Sequence, residues 1–364
     1  MMSFLLRATW GRGAVLALAF ASSILSVSSW ADSVLEQSAA EIIGLHPTVQ
    51  LAVANAGTRL VSVGERGIVL LSDDQGKSWR QGQVPVSTTL TRVVFVDSNN
   101  GWAVGHSGVV IHTADGGENW VKQLDGLVAA QIELQAARSA SNDSSSSQRR
   151  LREAERLLAD GADKPFLTVL FKDARNGMVF GAYGLAFATS NGGQTWRSLM
   201  GNLQAADGFH LYSAVAIGEK LYLAGEQGLL LQSDDGAQSF SRLESPSNAT
   251  LFGISASPST MLAYGLKGRL YRSDDGGAHW AHVAMPEATI TAAIHIENDT
   301  FLLANEVGQI FRSEDDGRTF HPLPMERLVP VTSLALATDG VIVKSGLRGV
   351  SRITEMQRRE ELAQ

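Results

Sequence analysis

From residue 50 to residue 353 the chain alternates short apolar runs with clusters of Gly, Asn, Asp and Ser. Residues 91–122 show the unit. Val93-Val94-Phe95-Val96 reads as a strand and Asp97-Ser98-Asn99-Asn100-Gly101 as a turn. Trp102-Ala103-Val104-Gly105 is a second strand, His106-Ser107-Gly108 a second turn, and Val109-Val110-Ile111-His112 a third strand. Trp120-Val121-Lys122 begins a fourth. Four short antiparallel strands in ~40 residues make a propeller blade. Stretches such as Leu221-Tyr222-Leu223-Ala224 are almost continuously apolar, as expected of strands covered on both faces. The pattern predicts an all-β, seven-bladed β-propeller over residues 32–354. Its innermost strands should begin near Leu51, Thr91, Leu167, Tyr212, Phe252 and Thr291, with the seventh blade at 331–353. That last blade shows three strands, so residues near 33–42 are expected to supply its outer strand and hide the open edge.

One turn recurs six times, following the pattern Ser/Thr-x-Asp-x-Gly-x-Ser/Thr-Trp/Phe. Its acidic position is held by Asp74, Asp115, Asp235, Asp275 and Asp315, and by Asn191 in the third copy. The closing aromatics are 41, 76, 44, 40 and 40 residues apart, so the long gap marks an insertion and not a lost repeat. The carboxylate accepts amide hydrogens across its own turn, Gly permits φ > 0, and the aromatic wedges beside the turn. These residues are expected to be structural.

The insertion, 126–164, has a different period. Leu127, Ala130, Leu134 and Ala137, then Leu151, Ala154 and Leu158, fall at helical spacing on either side of a Ser-rich link at 139–147. A helical hairpin between blades 2 and 3 follows, its apolar stripes without an obvious home in the ring. The first 31 residues have a different character again. Arg7 and Arg12 precede an apolar run at 14–25, and Ser29-Trp30-Ala31 closes a small-residue stretch. This is the form of a cleaved signal peptide, which predicts export, most simply to a bacterial periplasm. Residues 355–364 form a charged tail.

Composition narrows the chemistry. The 364 residues include no Cys, 36 Gly, 30 Lys+Arg and 37 Asp+Glu, for a net charge of −7. A thiol nucleophile and Cys-ligated metals are excluded, and no nucleic-acid partner is expected of an acidic chain without a basic block. The acidic turns lack the ligand ladder that Ca²⁺ needs, and the His spacing fits no zinc site. No metal, no cofactor and no small-molecule substrate are therefore expected. The turns between second and third strands gather at one mouth of a propeller. They present Glu65, Arg66, His106, Tyr183, Glu226, Gln227, Lys267, Glu306 and Arg348 as a mixed-charge rim. Loops on a rigid scaffold commonly carry binding, so this rim is the candidate partner-binding face. The hairpin leaves the ring at the same mouth.

The repeated turn resembles the Asp-box, or bacterial neuraminidase repeat. Gly-x-x-Gly before the third strand, with Asp115-Gly116-Gly117-Glu118-Asn119-Trp120 after it, is most similar to the family of photosystem II stability/assembly factors and their non-photosynthetic bacterial relatives. The resemblance implies a non-catalytic assembly or accessory factor for an envelope membrane protein complex, RND-class exporters being one such partner. The alternative is a glycan-binding or sialidase-like glycan-hydrolysing propeller. Against it, no Phe/Tyr-Arg-Ile-Pro motif precedes the first box. The rim also brings only Arg66 and Arg348, too few for a three-arginine clamp. Catalytic residues are therefore not expected.

Overall fold

The computed structural model describes residues 33–42, 48–140, 142, 144–203, 206, 208–325 and 327–353. The leader and charged tail expected at 1–31 and 355–364 lie outside them. The described chain is an all-β, seven-bladed propeller. Six sheets have four antiparallel strands and the seventh has three. Blade 1 comprises Gln50–Ala56, Arg59–Gly64, Val69–Ser72 and Arg80–Gln81, in that order from the inside out. The innermost strands of the next five blades begin at Leu90, Phe166, Leu211, Leu251 and Ile290, each one residue before its expected start. Blade 7 comprises Val331–Leu336, Ile342–Gly346 and Gly349–Arg352.

Each innermost strand carries a bulge at its second residue, where the register with the second strand slips by one. A bulge re-aims side chains, and here it serves the joints between blades. Thr91, Thr291 and Thr332 occupy that position. Their hydroxyls donate to the carbonyls of Phe166, Val331 and Gln50 in the next blade, at 2.9, 2.6 and 2.8 Å.

The core is divided in the same way, into one apolar cluster at each of the seven blade-to-blade seams. At the second seam Trp102, fully buried, stacks on Phe171 with centroids 3.6 Å apart. A blade is thus stable only with its neighbours, which is why closure matters.

Closure differs from the expectation. Residues 33–42 form no strand and lie against blades 1 and 2 instead. The Ala39 amide donates to Val84 O, Ser87 N to Val34 O, and the Gln81 side chain bonds both Ile42 N and Ala40 O. Leu35 is buried in the cluster between those two blades. Among the described residues blade 7 keeps an open outer edge. The outer strands of five other blades are only two residues long, so the missing ladder is small. Blade 7 joins blade 1 by Val53, Leu60, Ala335 and Val343, and by bonds to Gln75 on the face of the repeated turns.

Candidate functional site

In blades 1 to 5 the second and third strands meet in a two-residue turn with φ > 0 at both central positions. These pairs are Arg66 and Gly67 (54° and 73°), Ser107 and Gly108 (57° and 64°), and Tyr183 and Gly184 (56° and 72°). Gln227 and Gly228 (52° and 74°) and Lys267 and Gly268 (56° and 68°) complete the set. Such turns match the twist of a hairpin. The glycine is required twice over. A Cβ on Gly67 would lie 2.1 Å from Val86 O, and one on Gly228 would lie 1.7 Å from Ser247 O. These carbonyls belong to the linkers that lead into the next blade, so the turns and linkers share one face. The residue before each glycine is pushed outward. Arg66, Tyr183, Gln227 and Lys267 are all exposed, as are His106, Glu306 and Arg348. All nine predicted rim residues stand on this face.

Three of them have a structural bond in addition. Glu65 Oε1 accepts from Val49 N at 2.9 Å, Glu226 Oε2 from His210 N at 2.8 Å, and Glu306 Oε1 from Thr289 N at 2.9 Å. Each braces its turn to the residue that precedes the innermost strand of the same blade. The spacing of 16, 16 and 17 residues was a readable signal, because a carboxylate at the first turn position recurs with it. The glutamates sit on blades 1, 4 and 6 and do not pair with one another.

The structure adds an aromatic sector that sequence reasoning missed. Tyr183, 58% exposed, lies 4.7 Å from His210 between centroids, and Tyr212 meets Phe252 edge-on at 5.1 Å. His210 Nδ1 is 2.8 Å from Glu226 Oε2 but outside hydrogen-bonding geometry. Lys164 Nζ stands 5.6 Å above the Tyr183 ring.

The hairpin consists of α1 (Gly126–Ser139) and α2 (Ser145–Asp160). Asp125 caps α1, accepting from the amides of Leu127 and Val128, both at 3.1 Å. Its apolar stripes do have a home, contrary to the expectation. Ala129, Ala130 and Leu157 are buried against Phe166, Leu185 and Met200 of blade 3. Leu127 is left 46% exposed, and Leu157, one residue from the expected Leu158, makes the seal. Glu133, 1% exposed, accepts from Arg150 Nε and Nη2 at 2.8 and 3.0 Å and from the Ser198 hydroxyl. A groove of about 930 Å³ runs between α2 and blade 3, walled by Arg149, Arg156 and Lys164 and flanked by Tyr183.

The repeated turns occupy the opposite face. In blade 2, Asp115 Oδ1 accepts from the Thr113 hydroxyl and from Asn119 N at 2.8 and 2.9 Å. The Thr113 hydroxyl in turn accepts from Gly117 N at 2.9 Å. The Ser239 hydroxyl and amide hold Asp235 down to about 2. Burial pushes Asp315 upward, but the Thr319 hydroxyl and amide outweigh it and bring the carboxyl to about 2. Asn191 keeps the same acceptor for Thr195 N at 3.0 Å, and its amide donates to the Thr195 hydroxyl at 2.9 Å.

A family model described as "Photosynthesis system II assembly factor YCF48" matches residues 71–142 and 155–300, more than half of the 364 residues. The gap between the two matches falls on the link and the first part of α2. The Photosystem II assembly lipoprotein Ycf48 of Synechococcus sp. (strain CC9902) is 34% identical over 77 residues, 21% of this chain and 23% of that protein. The aligned part thus spans less than a quarter of that relative. Among solved structures, "YCF48 bound to D1 peptide" superposes with a TM-score of 0.61 at 14% identity, covering 86% of this chain and 94% of that one. The GH74 xyloglucanase from Xanthomonas campestris gives 0.59 at 11% identity, over 86% of this chain and 53% of that one. At these identities both structures speak to the fold alone.

Proposed function

The chain belongs to the family of the photosystem II assembly factor YCF48, and from that premise we propose that it is a non-catalytic assembly or accessory factor for a membrane protein complex. Its working place is the periplasm, reached by a cleaved signal peptide, and its partner is an envelope complex such as an RND-class exporter. The face of the second-to-third-strand turns is the binding surface. The carrying observation is a local conflict in those turns. Arg66, Ser107, Tyr183, Gln227 and Lys267 all adopt φ > 0, where Gly or Asn would sit at less cost. Strain of roughly 1–3 kcal/mol per residue is characteristic of functional positions. At four of the five, Ser107 being the exception, the strained position displays a long polar or aromatic side chain. The exposed apolar Val307 and Leu347 lie on the same rim, and Leu127 and Val128 lie at the foot of the hairpin. The relative solved with a D1 peptide is a precedent for a propeller of this family holding a segment of another protein.

Catalysis is disfavoured by the carboxylates. Glycoside hydrolysis needs two of them about 5–10 Å apart. Glu65, Glu226 and Glu306 are on separate blades, each tied to a backbone amide. The test is capture from solubilised membranes with the mature chain as bait. The double variant Arg66→Glu/Arg348→Glu should recover less of the same membrane protein, with a larger deficit at low salt, where exposed charges steer association. Equal recovery at every salt concentration moves the binding face elsewhere. Turnover of a fluorogenic sialoside or β-glucan by the wild-type chain overturns the non-catalytic reading.

A further inference from the structure

Six of the seven seams between blades are packed by the closing aromatic of a repeated turn. Trp79 lies in the seam between blades 7 and 1, Trp120 between 1 and 2, Trp196 between 2 and 3, Phe240 between 3 and 4, Trp280 between 4 and 5, and Phe320 between 5 and 6. The six turns belong to blades 1 to 6, and the apolar cluster between blades 6 and 7 has no aromatic among the described residues. The same seam holds an unmatched charge. Two residues before the end of the second strand, blades 1 to 6 place Ser62, Ala103, Val179, Leu223, Ala263 and Leu303, all 0% exposed. Blade 7 places Lys344 there, half-buried and on the same side of its strand as Ile342, which packs against blade 6. Lys344 has no hydrogen-bond or ion-pair partner among the described residues. Burial alone pulls its ammonium below the usual lysine range, and no carboxylate offsets it.

The outer edge beside Lys344 is in place to pair. Ile353 N donates to Ile342 O at 2.9 Å, so alternation along Gly349–Arg352 turns the amides and carbonyls of Val350 and Arg352 outward. Their counterparts in blade 1 are Val69 and Leu71. There Val69 O accepts from Gly82 N at 3.0 Å, and Leu71 pairs with Arg80. The blade 7 strand is fixed by the Arg352 guanidinium, which bonds Gln75 O and Asp339. In blade 1 Trp79 and Gln81 share one face by alternation, and Gln81 lies opposite Leu70. The counterpart of Leu70 is Ser351, small, exposed and directly opposite Lys344. A residue paired with Ser351 stands two strand spacings, roughly 10 Å, from Lys344, within the combined reach of a lysine and an acidic side chain across the serine.

We propose that the open edge of blade 7 receives an extended segment of another protein, which adds the fourth strand and carries an aromatic residue followed two positions later by Asp or Glu. The aromatic completes the seam between blades 6 and 7 as Trp79 completes its own, and the carboxylate meets Lys344. Main-chain bonds to Val350 and Arg352 supply affinity, and the two side chains supply specificity. The chain's own residues 354–364 include no aromatic, and the spacing of blade 1 would bring Glu360 and Leu362 to the two positions, acid and apolar in the wrong order. The proposal goes beyond the rim face and does not depend on it.

A fluorescent probe peptide, Ser-Thr-Trp-Thr-Glu-Thr-Ser, tests this with the mature chain by anisotropy. It should bind about tenfold more tightly than its counterpart with Lys in place of Glu. Lys344→Met should abolish that preference while melting at or above the wild-type temperature, since it deletes an unpaired half-buried charge. Lys344→Glu should reverse the preference. N-methylation of the two Thr amides that flank Glu, which would face Val350 and Arg352, should abolish binding. N-methylation of the Glu amide, which would face away, should leave it intact. The rim variant Arg66→Glu/Lys267→Glu should bind the peptide as the wild type does, so failure of the rim reading and failure of this one are told apart. Equal affinity for both peptides, or indifference to the position of the methyl groups, overturns the proposal. Melting of Lys344→Met several degrees below wild type with the preference retained makes Lys344 a strut and also overturns it. Peptide binding that appears only after residues 354–364 are deleted makes the chain's own end the occupant. A dimer that the peptide dissociates makes the occupant a second copy, and either result overturns the proposal.

Discussion

The repeated turn solves a single-residue problem: how to reverse a chain in seven residues without burying a bare amide. Its carboxylate does so by accepting from a hydroxyl, an amide and a second hydroxyl or ring at once. Asp235 and Asp315 are held at about 2 by these bonds. Unfolded aspartates titrate near ~3.9. Between those values the unfolded chain holds more protons than the folded one, so stability is full above ~4 and falls as pH drops toward 2. Asp235→Asn should copy the arrangement seen at Asn191 and flatten that fall by up to one proton. Unfolding curves taken at intervals from pH 5 to pH 2 read the slope directly, and an unchanged slope would mean that the carboxylate is not held down. This turn was legible in the chain because everything it needs lies within eight consecutive residues. The glutamate braces at 65, 226 and 306 were less so, since donor and acceptor are 16 or 17 residues apart and the acceptors look like free rim charges.

At the scale of elements the hairpin shows what periodicity can and cannot tell. Spacing of Ala130, Leu134, Ala137 and Ala154 is enough to predict two helices with narrow apolar faces. It does not say what the faces meet, because the surface that covers them comes from Phe166, Leu185 and Met200, later in the chain. Nor does it reveal that Glu133 would be buried, since its hydroxyl donor, Ser198, is 65 residues away. Docking changes the expectation for a deletion. Replacing residues 127–160 by a short link uncovers part of the seam between blades 2 and 3, so it should lower stability as well as partner capture. A gentler probe is Arg150→Ala, which leaves Glu133 buried without its bidentate partner. Breaking such a pair costs about 3–5 kcal/mol. Chemical denaturation checks this, and a loss under about 1 kcal/mol would show that the hairpin lifts off blade 3 easily.

For the whole molecule the question is how a ring closes when its last sheet lacks an outer strand. Local pattern counted the blades well because each blade repeats the same four runs. It misplaced residues 33–42, because a segment without strand alternation gives no hint of which edge it will cover. The structure uses that segment to cover the seam between blades 1 and 2. The seam between blades 7 and 1 is held by side chains at both faces. On the rim side Thr332 reaches Gln50 O at 2.8 Å. On the far side the Gln75 Oε1 receives Thr338 N and the Thr338 hydroxyl at 2.9 and 2.8 Å, while its Nε2 donates to Thr58 O at 3.1 Å. Gln75 therefore ties the turn after the innermost strand of blade 7 to blade 1. Gln75→Ala removes these three bonds, at roughly 0.5–1.5 kcal/mol each, two of them from one seam of seven. A ring that opens at its weakest joint should then do so there. Hydrogen exchange should quicken at amides of Val331–Leu336 and Gly349–Arg352, with those of Leu211–Ile217 on blade 4 unchanged. Uniform acceleration around the ring would mean that the propeller opens only by global unfolding. No change at blade 7 would mean that Val53, Leu60, Ala335 and Val343 close the seam by apolar contact alone.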